Sequence, residues 1–320
     1  MQVFIRRYGT LIGFVAIVLF FSIMLPGTFP TARNWLNITQ QVSMLMVVAA
    51  GMTIVMVMGD FDLSVGSMAS LAGIAAALLM AAGQPIWIAV AGALLVGLLG
   101  GAFNGAMVSL IGILPFIATL ATMTMFSGLA FVVSGGKTIS GRAIPEEFGS
   151  FARGGIPLGE WGGVAVSLPN LSIIAILVVL AVWILLEQTT FGRRLYAIGG
   201  NMEAAHLGGI AVKRLRLIAF ALTGFAAAAG GLMYASRVAS ANPVQGSGLM
   251  LNAIAAVFLG TTMSRHGEPK ILTTVIGVLV LGVLDNGLTQ MSVDSYVRQV
   301  MVGGLILIAV AASSLGQKRR

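Results

Sequence analysis

Long stretches without a charged side chain alternate with short polar segments along this chain of 320 residues. The longest stretch covers residues 63–136, and the others cover 8–32, 34–59, 161–186, 217–236 and 299–317. Each is close to or above the roughly 20 residues that a helix needs to cross the hydrocarbon core of a bilayer. Because the stretches are continuously apolar and do not alternate every second residue, they predict membrane-spanning helices and not the strands of a barrel.

Glycine, proline and polar breaks divide these stretches into about ten predicted spans. They cover residues 9–25, 42–59, 65–82, 85–112, 114–134, 168–186, 215–236, 250–263, 271–291 and 296–315. The span 250–263 is short, so the preceding residues 241–248 (ANPVQGSG) are either a plain loop or a re-entrant or interfacial segment. We therefore expect an all-α, polytopic membrane protein with one transmembrane domain over residues 1–320.

Composition supports this class and excludes several others. Hydrophobic residues make up 58% of the chain and charged residues 9%, whereas about a quarter of a soluble domain is charged. The absence of cysteine from the sequence excludes disulfides, thiol catalysis and metal sites with cysteine ligands. We expect no metal site, and we read the first span as an uncleaved anchor because no convincing cleavage site follows it.

Lysine and arginine define an orientation through the positive-inside rule. With the N-terminus inside, twelve of the 18 basic residues lie on the inner side and six on the outer side. The inner set is Arg6, Arg7, Arg193, Arg194, Lys213, Arg214, Arg216, Arg265, Lys270, Lys318, Arg319 and Arg320. We expect both termini in the cytoplasm, and we read the net charge of +8 as a topology signal and not as a nucleic-acid surface.

One segment imitates a phosphate-binding loop without being one. Gly135, Gly136, Lys137 and Thr138 resemble the end of such a loop, but Phe131 stands where its first glycine is needed. The segment also follows a predicted span on the outer side. The segment is therefore not a nucleotide site, and any ATP and magnesium are expected to be bound by a separate protein.

The turn between the second and third spans contains two carboxylates, Asp60 and Asp62, in the sequence MGDFDLSVGS. An ionisable group at membrane depth costs roughly 2.5 to 3.5 kcal/mol, so it tends to face a cavity, a partner or water. Two interpretations remain open. Asp62 and Ser64 cap the next helix, or the turn belongs to a substrate path or gate.

Two glycine-containing motifs lie inside predicted spans. Gly97, Gly101 and Gly105 repeat every four residues, a spacing that favours close packing of two helices in lipid. Asn104 adds an amide within the same span, and it faces either another helix or a hydroxyl group of a bound solute. Asp285 and Asn286, before Gly287, repeat the pattern in the ninth span, which is compatible with two duplicated halves of five helices and also with chance recurrence.

The largest polar island is the segment TTFGRRLYAIGGNMEAAHLGGI at residues 189–210. Asn201 is predicted to cap a short helix that has Glu203 in its first turn and ends at Gly208 and Gly209. Ala204, Ala205 and Leu207 form its apolar face. Because so short a helix is marginal in water, we expect it to pack against something.

Four segments together resemble the signatures of bacterial ABC importer permeases for simple sugars, the ribose, arabinose, xylose and galactoside group. They are GDFDLSVGS at 59–67, PFIATLATM at 115–123, TTFGRRLYAIGGNMEAA at 189–205 and NAIAAVFLGTT at 252–262. The resemblance covers essentially the whole chain. Its motifs are most similar to the arabinose branch, through GDFDLSV and the residues LATMTMFSGLAFVVSGGK at 120–137.

This resemblance implies a type II-like importer permease in the bacterial cytoplasmic (inner) membrane. Its implied partners are a cytoplasmic ATPase with tandem nucleotide-binding domains, a periplasmic sugar-binding protein, and a second permease copy or a paralogue. A coupling loop at about 187–214 would contact the ATPase. Its candidate residues are Arg193, Arg194, Glu203, Ala204, Ala205, Gly208 and Gly209.

One segment departs from the pattern of such permeases. The sequence LGTTMSRHGEP at 259–269 is more charged than their glycine-rich pattern, so contacts of the 260–270 loop are expected to differ.

The competing function is that of a facilitator or proton-coupled transporter, which would use Asp60, Asp62 and Asp285 as ion or proton sites. Candidate residues for a substrate path or gate are Asp60, Asp62, Asn104, Asp285 and Asn286.

Overall fold

The computed structural model describes residues 2–161, 164–264, 267–304 and 307. Its helices are α1 (Gln2–Met24), α2 (Ala32–Met56), α3 (Val65–Ala81), α4 (Ile86–Ala106), α5 (Pro115–Ser134), α6 (Glu146–Arg153), α7 (Asn170–Trp183), α8 (Thr190–Gly200), α9 (Met202–Leu207), α10 (Val212–Val238), α11 (Leu249–Thr261) and α12 (Ile271–Gln290). Its strands are β1 (Ile139–Ser140), β2 (Gly155–Trp161), β3 (Val164–Pro169) and β4 (Ser240–Ala241). Single π-helical turns, Met107–Ile111 and Ile184–Gln188, extend α4 and α7.

The described helices give the chain the form of a multi-pass membrane protein. Six of them are long and apolar enough to cross a membrane, namely α2, α4, α5, α7, α10 and α12, with the π turns counted in α4 and α7. Three shorter apolar helices accompany them, covering Gly9–Met24, α3 and α11. Of the tenth predicted span, residues 296–304 are helical, and most of the remainder lies outside the described residues.

Helix α2 begins earlier than predicted. It starts at Ala32, ten residues before the predicted start, and Thr31 caps it by accepting the amide hydrogen of Asn34 at 3.2 Å. Hydropathy misses this first part because its polar side chains face a cavity and not lipid.

The mostly helical chain also contains two short strand pairs, which the all-α expectation did not include. β2 pairs antiparallel with β3 in the connection between α6 and α7, and β1 pairs with β4 of a connection distant in the sequence. Both pairs lie between apolar helices, where hydrogen bonds between strands satisfy the backbone.

The centre of the bundle is formed by α2 and α10, whose side chains are mostly buried. Helix α10 packs against α2, α3 and α4. The Thr223 hydroxyl of α10 donates to the Gly51 carbonyl of α2 at 2.9 Å. Such close contacts are needed because hydrocarbon supplies no hydrophobic force to hold helices together.

The repeated glycines of α4 lie directly against the backbone of α10. A methyl group added at Gly97 would lie 2.5 Å from the Gly224 carbonyl oxygen, and one at Gly105 would lie 2.7 Å from the Leu217 Cα. At Gly101 it would overlap the Phe220 carbonyl. The two helices therefore approach closely enough that no side chain fits between them at these three levels.

Residues 242–248 enter the bundle before α11 begins. At one end of this segment, Asn242 Nδ2 donates to Thr138 Oγ1 at 2.8 Å. Further along, the Gln245 side-chain amide donates from Nε2 to the Gly231 carbonyl at 3.1 Å. The Gly246 backbone amide donates to the buried Ser70 hydroxyl at 2.9 Å. These bonds hold residues 242–248 against α3 and α10, and the last of them satisfies a backbone amide that no helix or strand satisfies.

The α4–α10 contact predicts the effect of a minimal substitution. We expect Gly101→Ala to lower the free energy of unfolding by about 1 to 3 kcal/mol, because both helices would have to separate. Gly128→Ala in α5 is the matched control, since its added methyl group meets nothing within 4 Å. Thermal unfolding of the purified protein in detergent measures the difference, and equal midpoints for the two variants would contradict the packing role of Gly101.

Candidate functional site

Helices α8 and α9 lie at one end of the bundle, where α2 ends and α12 begins. The Gly199 backbone packs directly against the Val57 carbonyl, just after α2. The Tyr196 hydroxyl donates to the Pro269 carbonyl at 3.0 Å, two residues before α12. The start of α2 and the end of α12 meet at the opposite end of the bundle, where both line one cavity.

The island that was predicted to hold one short helix holds two. Residues 190–200, expected as loop, form α8, which Thr189 caps by accepting the Gly192 amide hydrogen at 3.4 Å. Leu195 and Ile198 are fully buried and lie three residues apart, so one face of α8 packs on the bundle. Arg193 and Arg194 are exposed. The sequence analysis missed this helix because the large apolar side chains that it buries, Leu195 and Ile198, are too few to give a clear helical pattern.

The short helix α9 has the predicted cap. Asn201 Oδ1 accepts the Ala204 amide hydrogen at 2.9 Å, and Gly208 ends the helix before Gly209 takes a positive φ of 82°. Glu203 lies in the first turn, where a negative charge stabilises the helix dipole.

The predicted apolar face of α9 is only partly buried. Ala205 packs into the bundle, whereas Leu207 is 81% exposed. Leu207 points outward because the six-residue helix buries only one of its sides. The outer side is an exposed patch, here called the α9 surface, formed by Met202, Glu203, Ala204, His206, Leu207, Gly208 and Gly209.

Tyr196 connects three segments at this end of the bundle. Besides Pro269, its hydroxyl lies 3.2 Å from Glu187 Oε1, at the end of the π turn that extends α7. Burial, together with the neighbouring Glu187 carboxylate, raises the pKa of Tyr196 above its usual value. The phenol therefore stays protonated at physiological pH and keeps its hydrogen to donate.

The turn between α2 and α3 contains a buried ion pair that the sequence did not reveal. Arg216 of α10 donates from Nε to Asp60 Oδ2 at 2.8 Å and from Nη2 to Asp60 Oδ1 at 2.9 Å. The side chains are 13% and 6% exposed. The sequence hints at this pair only through the predicted inner position of Arg216. Because Asp60 is 156 residues away from it, the pattern of the sequence does not connect the two.

Asp62 bonds within the same turn and to α4. Its Oδ1 accepts the Ser64 amide hydrogen at 2.9 Å and the Ser64 hydroxyl at 2.6 Å. Asn104 Nδ2 donates to Ser64 Oγ at 2.8 Å and lies 3.4 Å from Asp62 Oδ1. Asn104 Oδ1 is buried without a partner among the described residues. The Ser64 side chain does not cap α3, and Asp62 bonds to Ser64, the residue before the helix, and not to an amide of α3 itself.

The remaining two candidates lie at the opposite end of the bundle. Asp285 is paired with Arg298 at 2.7 Å and is half-exposed. Asn286 is 4% exposed, donates to Gln41 Oε1 at 3.4 Å and accepts from Gln290 Nε2 at 2.8 Å. The structure therefore brings Asp62 and Asn104 together but separates them from Asp285 and Asn286.

Two cavities adjoin Asp285 and Asn286. The first, of about 1000 Å³, is here called the amide cavity because Asn34, Asn37, Gln40, Gln41, Asn286 and Gln290 line it. The second, of about 480 Å³, is here called the deep cavity, and Tyr234, Arg237, Asn252, Asp285 and Arg298 are among its lining residues. Gln41 and Thr289 line both cavities. The sequence analysis missed the α2 amides, although Asn34, Asn37 and Gln41 recur on one helical face.

A metal centre is not apparent in the part of the chain that the structure describes. No three side chains of His, Asp or Glu come together there as ligands would have to. The arrangement instead consists of buried polar contacts at one end and polar cavities at the other.

Comparison with known proteins matches residues 34–310 to the family described as branched-chain amino acid transport system / permease component. The ribose import permease protein of Bacillus subtilis (strain 168) is 38% identical over 308 residues, which cover 95% of this chain and 92% of the relative. The D-allose and L-arabinose transport system permease proteins of Escherichia coli (strain K12) are 34% and 35% identical, and each alignment covers 98% of this chain and over 90% of the relative. These values do not single out the arabinose branch. No solved structure matches the chain.

The buried ion pair predicts a difference between two otherwise similar substitutions. We expect Asp60→Asn to lower the free energy of unfolding by about 3 to 5 kcal/mol, because it leaves the Arg216 guanidinium buried and uncompensated. Asp285→Asn removes a carboxylate that is half-exposed, so a loss of about 1 kcal/mol or less is expected.

Thermal unfolding of both variants in the same detergent measures this difference. A double variant that exchanges the charges, Asp60→Arg with Arg216→Asp, should recover part of the stability. If Asp60→Asn and Asp285→Asn lose the same amount of stability, burial of the Asp60–Arg216 pair does not determine its contribution.

Proposed function

The chain belongs to the family of branched-chain amino acid transport system permease components, and on that premise we propose that it is the membrane-spanning subunit of an ATP-driven importer of a simple sugar. One observation carries the sugar assignment. Relatives named for ribose, allose and arabinose transport align over nearly the whole chain at 34% to 38% identity. A pentose or a related monosaccharide is the proposed cargo, and the chain is a transport component and not an enzyme.

The proposed orientation places both termini in the cytoplasm of a bacterium and the α9 surface on the cytoplasmic side of the inner membrane. Basic residues support it, since Arg193, Arg194, Lys213 and Arg214 belong to α8 and the start of α10. Ten spans in two related halves remain part of the proposal. Asn104 and Asn286 support the halves, because both are buried and each precedes a glycine that packs on another helix.

The α9 surface is the proposed contact with the ATPase subunit, within the coupling loop at 187–214. Exposed Leu207 and Met202 would enter an apolar cleft, and Glu203 would pair with a basic residue at its rim. Ala204, Ala205, Gly208 and Gly209 keep the helix narrow, while Arg193 and Arg194 lie beside it. ATP and magnesium are proposed to bind to that tandem-domain partner and not to this chain.

Two further partners complete the proposed importer. A periplasmic binding protein would deliver sugar to the end of the bundle that carries the amide cavity. A second permease copy or a paralogue would pack against this subunit. Alternating access then exposes the sugar first to the binding protein and later to the cytoplasm, as ATP binding and hydrolysis move the coupling loop.

The α8 contacts offer a route for that movement into the membrane. Tyr196 links α8 to the segment before α12, and Gly199 contacts the end of α2. Asp60, Asp62 and Asn104 lie near this end, so we propose that they act as gating elements. Asp285 and Asn286, beside the cavities, are the stronger candidates for contact with sugar.

The alternative is a facilitator or proton-coupled transporter. It would need carboxylates that exchange protons with an aqueous path. Asp60 forms a two-point contact with Arg216, Asp62 accepts two bonds from Ser64, and Asp285 is paired at the other end of the bundle. Because each carboxylate has a partner and Asp285 lies at the opposite end of the bundle from Asp60 and Asp62, the geometry favours the ATP-driven importer.

Reconstituted transport tests this function. We expect liposomes that contain the permease, its ATPase and its binding protein to accumulate at least one of ribose, allose and arabinose when ATP is supplied to the ATPase side. Uptake by the permease alone without ATP would support the facilitator instead. An ATP-driven system that moves none of the three sugars would contradict the proposed cargo.

A charge reversal tests the coupling surface. We expect Glu203→Lys to weaken co-purification of the ATPase by about tenfold or more and to abolish uptake, while the permease still inserts in the membrane. Glu147→Lys is the matched control, since it makes the same charge change at an exposed position of α6. Normal uptake by Glu203→Lys would remove α9 from the coupling mechanism.

A further inference from the structure

Amide side chains face one another across the start of α2 and the end of α12. Asn34, Asn37 and Gln41 recur at three- and four-residue intervals on α2, so they share one helical face. Asn286 and Gln290 occupy successive turns of α12. Gln290 Nε2 donates to Asn34 Oδ1 at 3.0 Å and to Asn286 Oδ1 at 2.8 Å. These bonds make a continuous row of amides from the cavity mouth into the bundle.

The amide row separates two adjoining spaces. The amide cavity lies on one side and the deep cavity on the other, and Gln41 and Thr289 border both. Their volumes, about 1000 and 480 Å³, fall within the range of small-molecule sites. The deep cavity extends along α2 and α12 to apolar side chains that include Met44 and Leu281, so the two adjoining spaces together make one cleft between these helices.

The chemistry of the row suits a neutral solute with many hydroxyl groups. Each hydroxyl both donates and accepts, and an amide side chain supplies two donors and an acceptor. Gln290 Oε1 is buried without a partner among the described residues, which leaves an acceptor for a hydroxyl of the solute. A charged solute would need a buried opposite charge, and the most buried member of the row, Asn286, is uncharged.

The charged side chains that line the deep cavity partly neutralise one another. Arg298 donates to Asp285 at 2.7 Å and to the Thr289 hydroxyl at 2.5 Å, which fixes the pair in place. Arg237 adds one positive charge and is half-buried. This balance disfavours a cationic solute, while Tyr234 offers an aromatic face and Asn252 a further amide.

The hydrogen bond that lies between the two cavities is easily exchanged for bonds to a solute. Asn286 Nδ2 lies 3.4 Å from Gln41 Oε1, a long and therefore weak hydrogen bond. A sugar hydroxyl between these groups would replace one such bond with two of normal length. The cost of opening the row is therefore small compared with the bonds that the solute gains.

We propose that this cleft within a single subunit binds a neutral sugar in two consecutive subsites, which the Gln41–Asn286 contact divides. The inference rests on the proposed function and adds the residues that recognise the cargo. The recognition groups of the cleft are supplied by α2 and α12 of this chain.

Two other cavities fit this role less well. The cavity beside α5 is lined by Ser67, Thr124, Ser127 and Ser247 together with larger apolar side chains, and it has no amide group. The cavity between α2, α7 and α12 is lined almost entirely by apolar side chains. The first has hydroxyl groups but no amide and the second is almost entirely apolar, so neither has a row of amides like that of α2 and α12.

Site-directed thiols test the cleft directly, because the natural sequence has no cysteine. We expect Gln41→Cys and Thr289→Cys, each in the assembled importer in liposomes, to react with a membrane-impermeant thiol reagent. An excess of the imported sugar, tested among D-ribose, D-allose and L-arabinose, should slow the reaction at both positions. Lys137→Cys, at an exposed position away from the cleft, is the control that should react at the same rate with and without sugar.

Uptake kinetics provide a second readout. We expect Gln41→Leu to lower kcat/KM for uptake by about tenfold, because a buried hydrogen-bonding partner of the sugar is lost. Thr39→Val is the matched control on α2, since Thr39 bonds to Ser172 of α7 on another side of the helix. Normal uptake by Gln41→Leu together with unprotected thiols would overturn the cleft and leave the proposed function intact.

Additional outcomes separate the remaining explanations. Protection by the corresponding sugar acid but not by the neutral sugar would overturn the assignment of a neutral solute. Thiols that react equally with and without every sugar would mean that the cleft holds water only. A wild-type complex that imports none of the three sugars would overturn the proposed function and, with it, this inference.

Discussion

The close contact between α4 and α10 is the constraint on which the rest of the structure depends. Hydrocarbon is as apolar as the side chains of the helices, so burial alone does not hold a membrane bundle together. Contact must come from dispersion forces at short range, and these require glycine where Gly97, Gly101 and Gly105 meet the α10 backbone. Because α10 also packs on α2 and α3, this contact fixes the positions of the central helices.

Polar groups are then arranged at two ends of the bundle in different ways. Near α8 and α9, the carboxylates of Asp60 and Asp62 have close partners and the Tyr196 phenol bridges two segments, while Asn104 Oδ1 has no partner among the described residues. Near the start of α2, uncharged amides bond to one another, the Gln41–Asn286 bond is long, and Gln290 Oε1 has no partner among the described residues. Charged groups with close partners resist rearrangement, whereas amides joined by a long bond can exchange partners with a solute.

The sequence predicted the class of fold well because the bilayer imposes strict requirements on length and polarity. Nine of the ten predicted spans correspond to the described apolar helices, and the α9 cap at Asn201 follows from local hydrogen bonding. The start of α2 was wrong because hydropathy treats every amide as exposed to lipid, although these amides face a cavity. The Asp60–Arg216 pair and the α2–α12 amide row could not be predicted, since each joins residues that are more than 150 positions apart.

The attachment of both ends of α12 gives that helix the geometry of a lever arm. Its 20 residues make a rod about 30 Å long, with the Tyr196 contact just before its first turn and the Gln290 and Asn286 amides in its last turns. If such a rod pivots near α8, a tilt of roughly 5° displaces its far end by about 2.6 Å. That displacement is comparable with the length of a hydrogen bond. A small rotation of α12 near α8 would therefore suffice to change which amides are in register at its far end.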